Sequence, residues 1–178
     1  FSNNDVLSWL NDRRNATKTV VRQIDLSSMK NWNVDELTGD VRHVTGRFFS
    51  IEGIRVSTNW GDLYSWDQPI INQPEVGFLG FIAKKFDGVL HFLVQAKIEP
   101  GNINIVQLSP TLQATRSNYS QIHKGKRPRY LEYFNGEKKV DLLLDQLQSE
   151  QGSRFLKKRN RNIIVQVYDS FEELDNFR

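Results

Sequence analysis

Hydrophobic positions recur at two different periods along this chain of 178 residues. Near the start, Val6, Trp9 and Leu10 follow helical spacing after the polar run Asn3-Asn4-Asp5, which offers several N-cap residues. A short amphipathic helix is predicted there. Between residues 15 and 46 no single period dominates: Val20, Val21 and Ile24 suit the start of a strand or of a helix, and Trp32 and Val34 sit in polar surroundings. From residue 47 the pattern is that of strands. Arg47 to Ile51 and Ile54 to Val56 flank Glu52-Gly53, which predicts a hairpin turn. Val76 to Ala83 is apolar on both faces, as in a central strand covered on both sides. Asp87-Gly88 then carries a strong hairpin signal.

The run Val89 to Glu99 divides by the period-two rule. Leu90, Phe92, Val94, Ala96 and Ile98 form an apolar face, while Val89, His91, Leu93, Gln95, Lys97 and Glu99 form one that becomes polar toward its end. After a turn at Pro100-Gly101-Asn102 the division repeats, with Val106, Leu108, Leu112 and Ala114 opposed to Gln107, Ser109, Thr111, Gln113 and Thr115. Adjacent strands would merge the polar sets into one surface. Pro110 should interrupt the ladder as an edge or bulge. Farther on, Val140, Leu143, Leu144 and Leu147 recur at helical spacing and predict a buried stripe, and Ile163 to Val167 predicts a buried closing strand. The reading is an α+β fold in a single domain over residues 1–178, with a mixed, mostly antiparallel sheet and flanking helices.

Composition narrows the chemistry. The chain is 38% hydrophobic and 25% charged with 11% aromatic residues, a globular balance. It has no cysteine, which excludes disulfides, thiolate catalysis and cysteine-held zinc. No apolar run approaches the roughly 20 residues of a membrane span, and the opening residues do not read as a secretory signal. A net charge of +3 favours an anionic ligand without pointing to nucleic acid. His43, His91 and His123 share no metal-ligand spacing, and no phosphate-binding glycine loop occurs. The run Lys157-Lys158-Arg159-Asn160-Arg161 reads as a solvated basic face sooner than as a nucleic-acid patch.

Four groups of residues carry possible function, each with a plainer alternative. The polar strand face, with Gln95, Lys97, Gln107 and Ser109, suits directional hydrogen bonding; a wetted sheet surface is the alternative. Arg116, Ser117, Asn118 and Tyr119 offer a forked phosphate donor, short donors and a stacking face, or simply a polar loop. Trp60, Tyr64 and Trp66 lie in a segment that reads as a loop, where aromatic rings stack on a base or sugar or plug the end of a barrel. Glu75 follows a proline directly before a buried strand, where a partly desolvated carboxyl would suit proton transfer near neutrality. A solvated loop carboxylate is the other reading of Glu75.

Several strings together resemble the NDP-hexose 2,3-dehydratases. They are Trp66-Asp67-Gln68-Pro69-Ile70-Ile71 with Gln73-Pro74-Glu75-Val76-Gly77, the stretch Phe86 to Asn102, the stretch Val106 to Tyr119, and Ser149-Glu150-Gln151-Gly152-Ser153-Arg154-Phe155. The resemblance is dense over residues 47–168. It implies a Nudix-like module without Nudix chemistry, and the glutamate-rich Nudix string is indeed missing from the sequence. Family members carry two copies of the module, whereas this chain holds one. The resemblance therefore implies a homodimer or a second copy in a longer chain, with catalysis, or non-catalytic nucleotide-sugar binding as in a vestigial module. A cytoplasmic location is expected.

The implied substrate is a dTDP-linked 4-keto-6-deoxy sugar, with no nucleic acid or membrane partner, no metal and no organic cofactor. Its ketone acidifies the hydrogen on carbon 3; a base removes it, and the enolate expels the hydroxyl on carbon 2 as an acid protonates that group. On this resemblance Glu75 is the preferred base, with Lys97 or Tyr119 as proton donor or oxyanion partner. Gln95 and Gln107 orient the sugar, with Ser109 beside them. Arg116, Ser117 and Asn118 hold the diphosphate, and Trp66 or Trp60 stacks on the base.

Overall fold

A computed structural model describes residues 2–115 and 127–178. Arg116, Ser117, Asn118, Tyr119 and His123 lie outside the described residues. The chain forms α and β structure dominated by strands and divides into two compact units. One unit comprises Phe1–Arg22, Gly77–Leu147 and Arg161–Arg178; the other comprises Gln23–Val76 and Gln148–Asn160.

Helix α1 spans Asn3–Ala16 in the first of these units. Its cap is Ser2, one residue before the run expected to supply it. The Ser2 hydroxyl accepts from the Asp5 amide at 3.2 Å, and the Asp5 carboxylate accepts from the Ser2 amide at 2.8 Å. This reciprocal pair satisfies donors that a helix start leaves open. Leu10 is buried, and the Arg14 Nε donates to the Val106 carbonyl at 2.9 Å, tying the helix to its unit.

The larger sheet has the order β7-β6-β5-β10-β9, with β8 paired to β5. Its strands are β5 (Gly77–Phe86), β6 (Val89–Ile98), β7 (Val106–Pro110), β8 (Leu112–Ala114), β9 (Asp141–Ser149) and β10 (Arg159–Gln166). Asp87 and Gly88 link β5 to β6 with φ of 48° and 83°, both left-handed, as a two-residue hairpin of matching twist requires. The antiparallel β5–β6 register runs from Phe86↔Val89 to Ile82↔Leu93, and there the two strands part. Beyond that point β5 pairs β8 through Phe78↔Ala114 and Gly80↔Leu112. β6 instead meets the last residues of the sequence: the Val94 amide donates to the Arg178 carbonyl and the Ala96 amide to the Asn176 carbonyl, each at 2.9 Å. Thr111 sits in the fork, 2% exposed. Its hydroxyl accepts from the Ile82 amide at 3.0 Å and donates to the Leu93 carbonyl.

The core of this unit gathers Ile82, Leu93, Leu112, Ala114, Ile163 and Val165 with Tyr130, Leu131, Tyr133 and Phe134 from a short turn. β10 is therefore the buried closing strand the sequence predicts. Two expectations are overturned in this unit. Asp141–Ser149 is the strand β9 and not a helix, and Leu142, Leu143 and Leu147 on it are exposed. Adjacent leucines satisfy both periods at once, so pairing within the sheet decides. Thr111, assigned to the polar face, is buried. β7 ends at Pro110, the interruption the sequence predicts, and beyond it Leu112 and Ala114 of the apolar set join the core.

The second unit holds the antiparallel sheet β1-β2-β3-β4, made by Trp32–Val34, Val41–His43, Ser50–Ser57 and Ser65–Asn72. β3 runs straight through Glu52-Gly53, with Glu52↔Ile70 and Gly53↔Pro69 in an unbroken register with β4. The expected turn there is replaced by one over residues 58–64, closed by a 3.0 Å bond from the Thr58 amide to the Tyr64 carbonyl. Trp66 to Pro69 accordingly lies in a strand, not in the predicted loop. An eight-residue strand pairing outweighs one weak local turn signal.

Candidate functional site

The β6–β7 register settles which polar residues meet. Gln95 stands opposite Ser109 and Lys97 opposite Gln107, with Ala96↔Leu108 between them on the other face. Directly paired residues on one face of antiparallel strands lie close enough for their side chains to act together. The Lys97 ammonium pairs with Glu99 at 2.9 Å, and Gln113 donates to the same carboxylate at 3.4 Å. All four residues of the stripe are half-buried. The sequence thus placed Gln95, Lys97, Gln107 and Ser109 on one surface, and the pairing joins them. Arg116, Ser117, Asn118 and Tyr119 follow in sequence outside the described residues.

The same unit contains a cavity of about 610 Å³, lined by apolar groups of α1, β6 and β7 such as Leu7, Leu90, Phe92 and Leu108. Lys84 and Arg178 supply cationic groups at its wall. The Lys84 ammonium donates to the Asp169 carbonyl at 3.0 Å and stands near the rings of Phe86 and Phe171.

The other predicted residues, Trp60, Trp66 and Glu75, belong to the second unit. Trp60 is 86% exposed on the 58–64 turn. Trp66 is half-buried on β4, and its indole N–H donates to the Gln68 side-chain carbonyl at 2.8 Å. The Gln68 amide in turn donates to the Ser153 carbonyl at 2.8 Å. Two further bonds bind the same pair of segments: Ile71 N to Arg154 O at 2.8 Å and Leu156 N to Ile71 O at 2.9 Å. Two strings that resemble the dehydratases, more than eighty residues apart, are therefore one joined structure.

Glu75 lies just past β4 and is half-buried. Its carbonyl accepts a hydrogen bond from the Lys158 ammonium. Lys158 is 4% exposed, so the basic run is not a solvated face at this position. Burial pushes the Lys158 ammonium below the ordinary lysine range, while the carboxylates of Glu75 and Glu150 oppose that fall. Asn160, also buried, donates its amide to Glu150. Sequence reasoning missed Lys158 because a run of cations looks alike whichever side chain turns inward.

The two described histidines, His43 and His91, are held in aromatic surroundings. His43 packs edge-on against Phe48 at 4.5 Å, and the His91 ring lies 5.2 Å from that of Phe86. Among the described residues no group of three or more His, Cys, Asp or Glu is placed to hold a metal ion. No helix among them is long and apolar enough to cross a membrane.

Residues 3–178 match the profile of the family described as NDP-hexose 2,3-dehydratase. The chain belongs to that family. Among relatives of the 2,3-dehydratase family, a dTDP-4-dehydro-6-deoxy-alpha-D-glucopyranose 2,3-dehydratase of Saccharopolyspora spinosa is 50% identical over 169 residues, covering 95% of this chain and 35% of the relative. Proteins of the same description from Amycolatopsis orientalis and Streptomyces violaceoruber are 48% and 51% identical, over 97% and 90% of this chain. This dehydratase-family chain spans 35% to 38% of the length of these curated relatives.

Proposed function

We propose that this chain serves the elimination of water across carbons 2 and 3 of a dTDP-linked 4-keto-6-deoxyhexose, as a lyase module in deoxysugar biosynthesis. The observation that carries the reading is the pairing of Gln95 with Ser109 and of Lys97 with Gln107 in a chain of this family. Amide and hydroxyl groups meet a sugar's hydroxyls directionally, and a single cation beside them suits an oxyanion or a phosphate. The relatives' printed substrate name, a dTDP-4-dehydro-6-deoxy sugar, supports the same substrate class here.

In this reading Glu75 removes the proton on carbon 3, and Lys97 or Tyr119 serves the enolate oxygen or the departing hydroxyl. Gln95, Gln107 and Ser109 orient the sugar. Arg116, Ser117 and Asn118 take the diphosphate, and Trp66 or Trp60 takes the base. The substrate's own ketone is the electron sink, so the reaction calls on no organic cofactor. A Nudix-like arrangement used without Nudix chemistry is part of the proposal, supported by the mixed, strand-rich architecture. A single module over residues 1–178, acting as a homodimer or beside a second copy in the cytoplasm, completes it.

A second reading is favoured by the share of the relatives' length that the chain spans: a non-catalytic nucleotide-sugar-binding module. One assay separates the two. The purified chain is incubated with dTDP-4-keto-6-deoxyglucose and a ketoreductase that traps the diketo product, and mass spectrometry follows loss of water. Turnover supports the lyase; dTDP-sugar affinity without turnover supports the binding module. Failure of both would remove the proposal.

A further inference from the structure

We propose that Lys158 is a positioning residue for Glu75, holding the main chain at the exit of β4 so that this carboxylate stays in one place for proton abstraction. The inference rests on Glu75 being the base.

The side chain that reaches Glu75 comes from a residue 83 positions away. Lys158 is buried at 4% exposure, and among the described residues the hydrogen-bond acceptor of its ammonium is the Glu75 carbonyl. The carboxylates of Glu75 and Glu150 act on that ammonium and favour its charge. Glu150 is itself fixed twice: its amide donates to the Lys158 carbonyl at 3.0 Å, and its carboxylate accepts from the Asn160 amide. The residue before Lys158 is also constrained. Lys157 has φ of 50°, in the left-handed region that side-chain-bearing residues seldom adopt. The left-handed Lys157 and the bond from Glu150 thus fix the main chain at Lys158, whose ammonium in turn holds the Glu75 carbonyl.

Satisfying a carbonyl at a strand exit does not require a charge; a backbone N–H or water does it without desolvating an ammonium. The costly solution suits a demand beyond stability, since buried cations beside carboxylates concentrate where chemistry needs defined charge and geometry. Proton abstraction from carbon makes that demand. A base displaced by about 1 Å loses on the order of 10²-fold in rate.

The test uses exchange of the carbon 3 hydrogen of dTDP-4-keto-6-deoxyglucose with deuterium from solvent, together with dTDP affinity by calorimetry. In Lys158→Met, exchange is expected to fall about 10²-fold while dTDP affinity stays within about threefold. In a Glu75→Gln background the same change should cost nothing further, because there is no base left to position. Lys158→Gln keeps a donor for the carbonyl but no charge; it should fold and show a smaller loss, and it decides the matter where Lys158→Met is too unstable. Parental exchange in either lysine variant, or an equal loss in the Glu75→Gln background, would overturn the assignment to Lys158. If Glu75→Gln abolishes exchange while Lys158→Met does not, the Glu75 reading stands and the Lys158 assignment alone falls. Parental exchange in Glu75→Gln would remove Glu75 as the base, and the positioning role with it.

Discussion

The ring of Phe134 occupies the space that a side chain on Gly80 would need. A Cβ at Gly80 would lie 2.8 Å from Phe134 Cδ1 and closer still to Cε1. Phe134 is 4% exposed and packed in the core, so it has little room to yield. Gly80→Ala should therefore destabilise the fold by about 1–3 kcal/mol, the usual cost of overpacking. Urea unfolding measures it, and a change below about 0.5 kcal/mol would show that the ring moves aside freely.

Thr111 closes the fork between β5 and β6 with one hydroxyl that serves two backbone groups. Thr111→Val keeps the shape and removes both bonds, leaving a buried amide and a buried carbonyl unmet. A loss of about 2–4 kcal/mol is expected, with Thr111→Ser retaining most of the stability. Equal stability in the serine and valine variants would mean that the hydroxyl contributes nothing.

Lys158 gives the chain a pH signature. Its folded value lies below that of an ordinary lysine, chiefly through burial, with Glu75 and Glu150 the charges that face it. Between the folded and ordinary values the unfolded chain binds more protons than the folded one, so stability contributed by this group rises with pH. The cost of the buried charge is fully present below the folded value and gone above the ordinary one. Subtracting the Lys158→Met curve from the parent curve in urea unfolding should leave an upward slope in that alkaline window. A flat or falling difference would contradict it.

The paired stripe on β6 and β7 predicts coupled losses in ligand affinity. Lys97→Met and Gln107→Ala should each weaken dTDP-sugar binding by about 1–3 kcal/mol in calorimetry. As direct cross-strand neighbours, they should combine to less than the sum of the single losses if they share a ligand group. Parental affinity in both would leave the stripe as wetted sheet surface.

Arg116 is proposed to grip the diphosphate, and Arg116→Ala should weaken dTDP-sugar affinity about tenfold or more, since a bidentate charge-assisted contact is lost. Unchanged affinity would take it out of the site.

Much of this arrangement was legible beforehand where one period or one turn dominates. Asp87-Gly88 needs left-handed backbone at both positions, and both residues tolerate it. Gln95, Lys97, Gln107 and Ser109 follow from strict alternation on two strands that must pair. What escaped depends on distant partners. Leu142, Leu143 and Leu144 fit a helix or a strand equally, and Glu52-Gly53 reads as a turn until β4 is laid alongside it. Lys158 differs from Lys157 only in the direction the backbone gives it, which no local pattern encodes. Residues 153–156 and Gln68 offered no hint that they bond to one another.

The pairing of Asn176 and Arg178 with β6 makes residues 176–178 a component of the sheet. Removing those few residues would strip hydrogen-bond partners from the part of β6 that carries Gln95 and Lys97. It would also unseat Phe177, which is 4% exposed in the core. A version cut at Glu173 should therefore lose sugar-nucleotide affinity and thermal stability together.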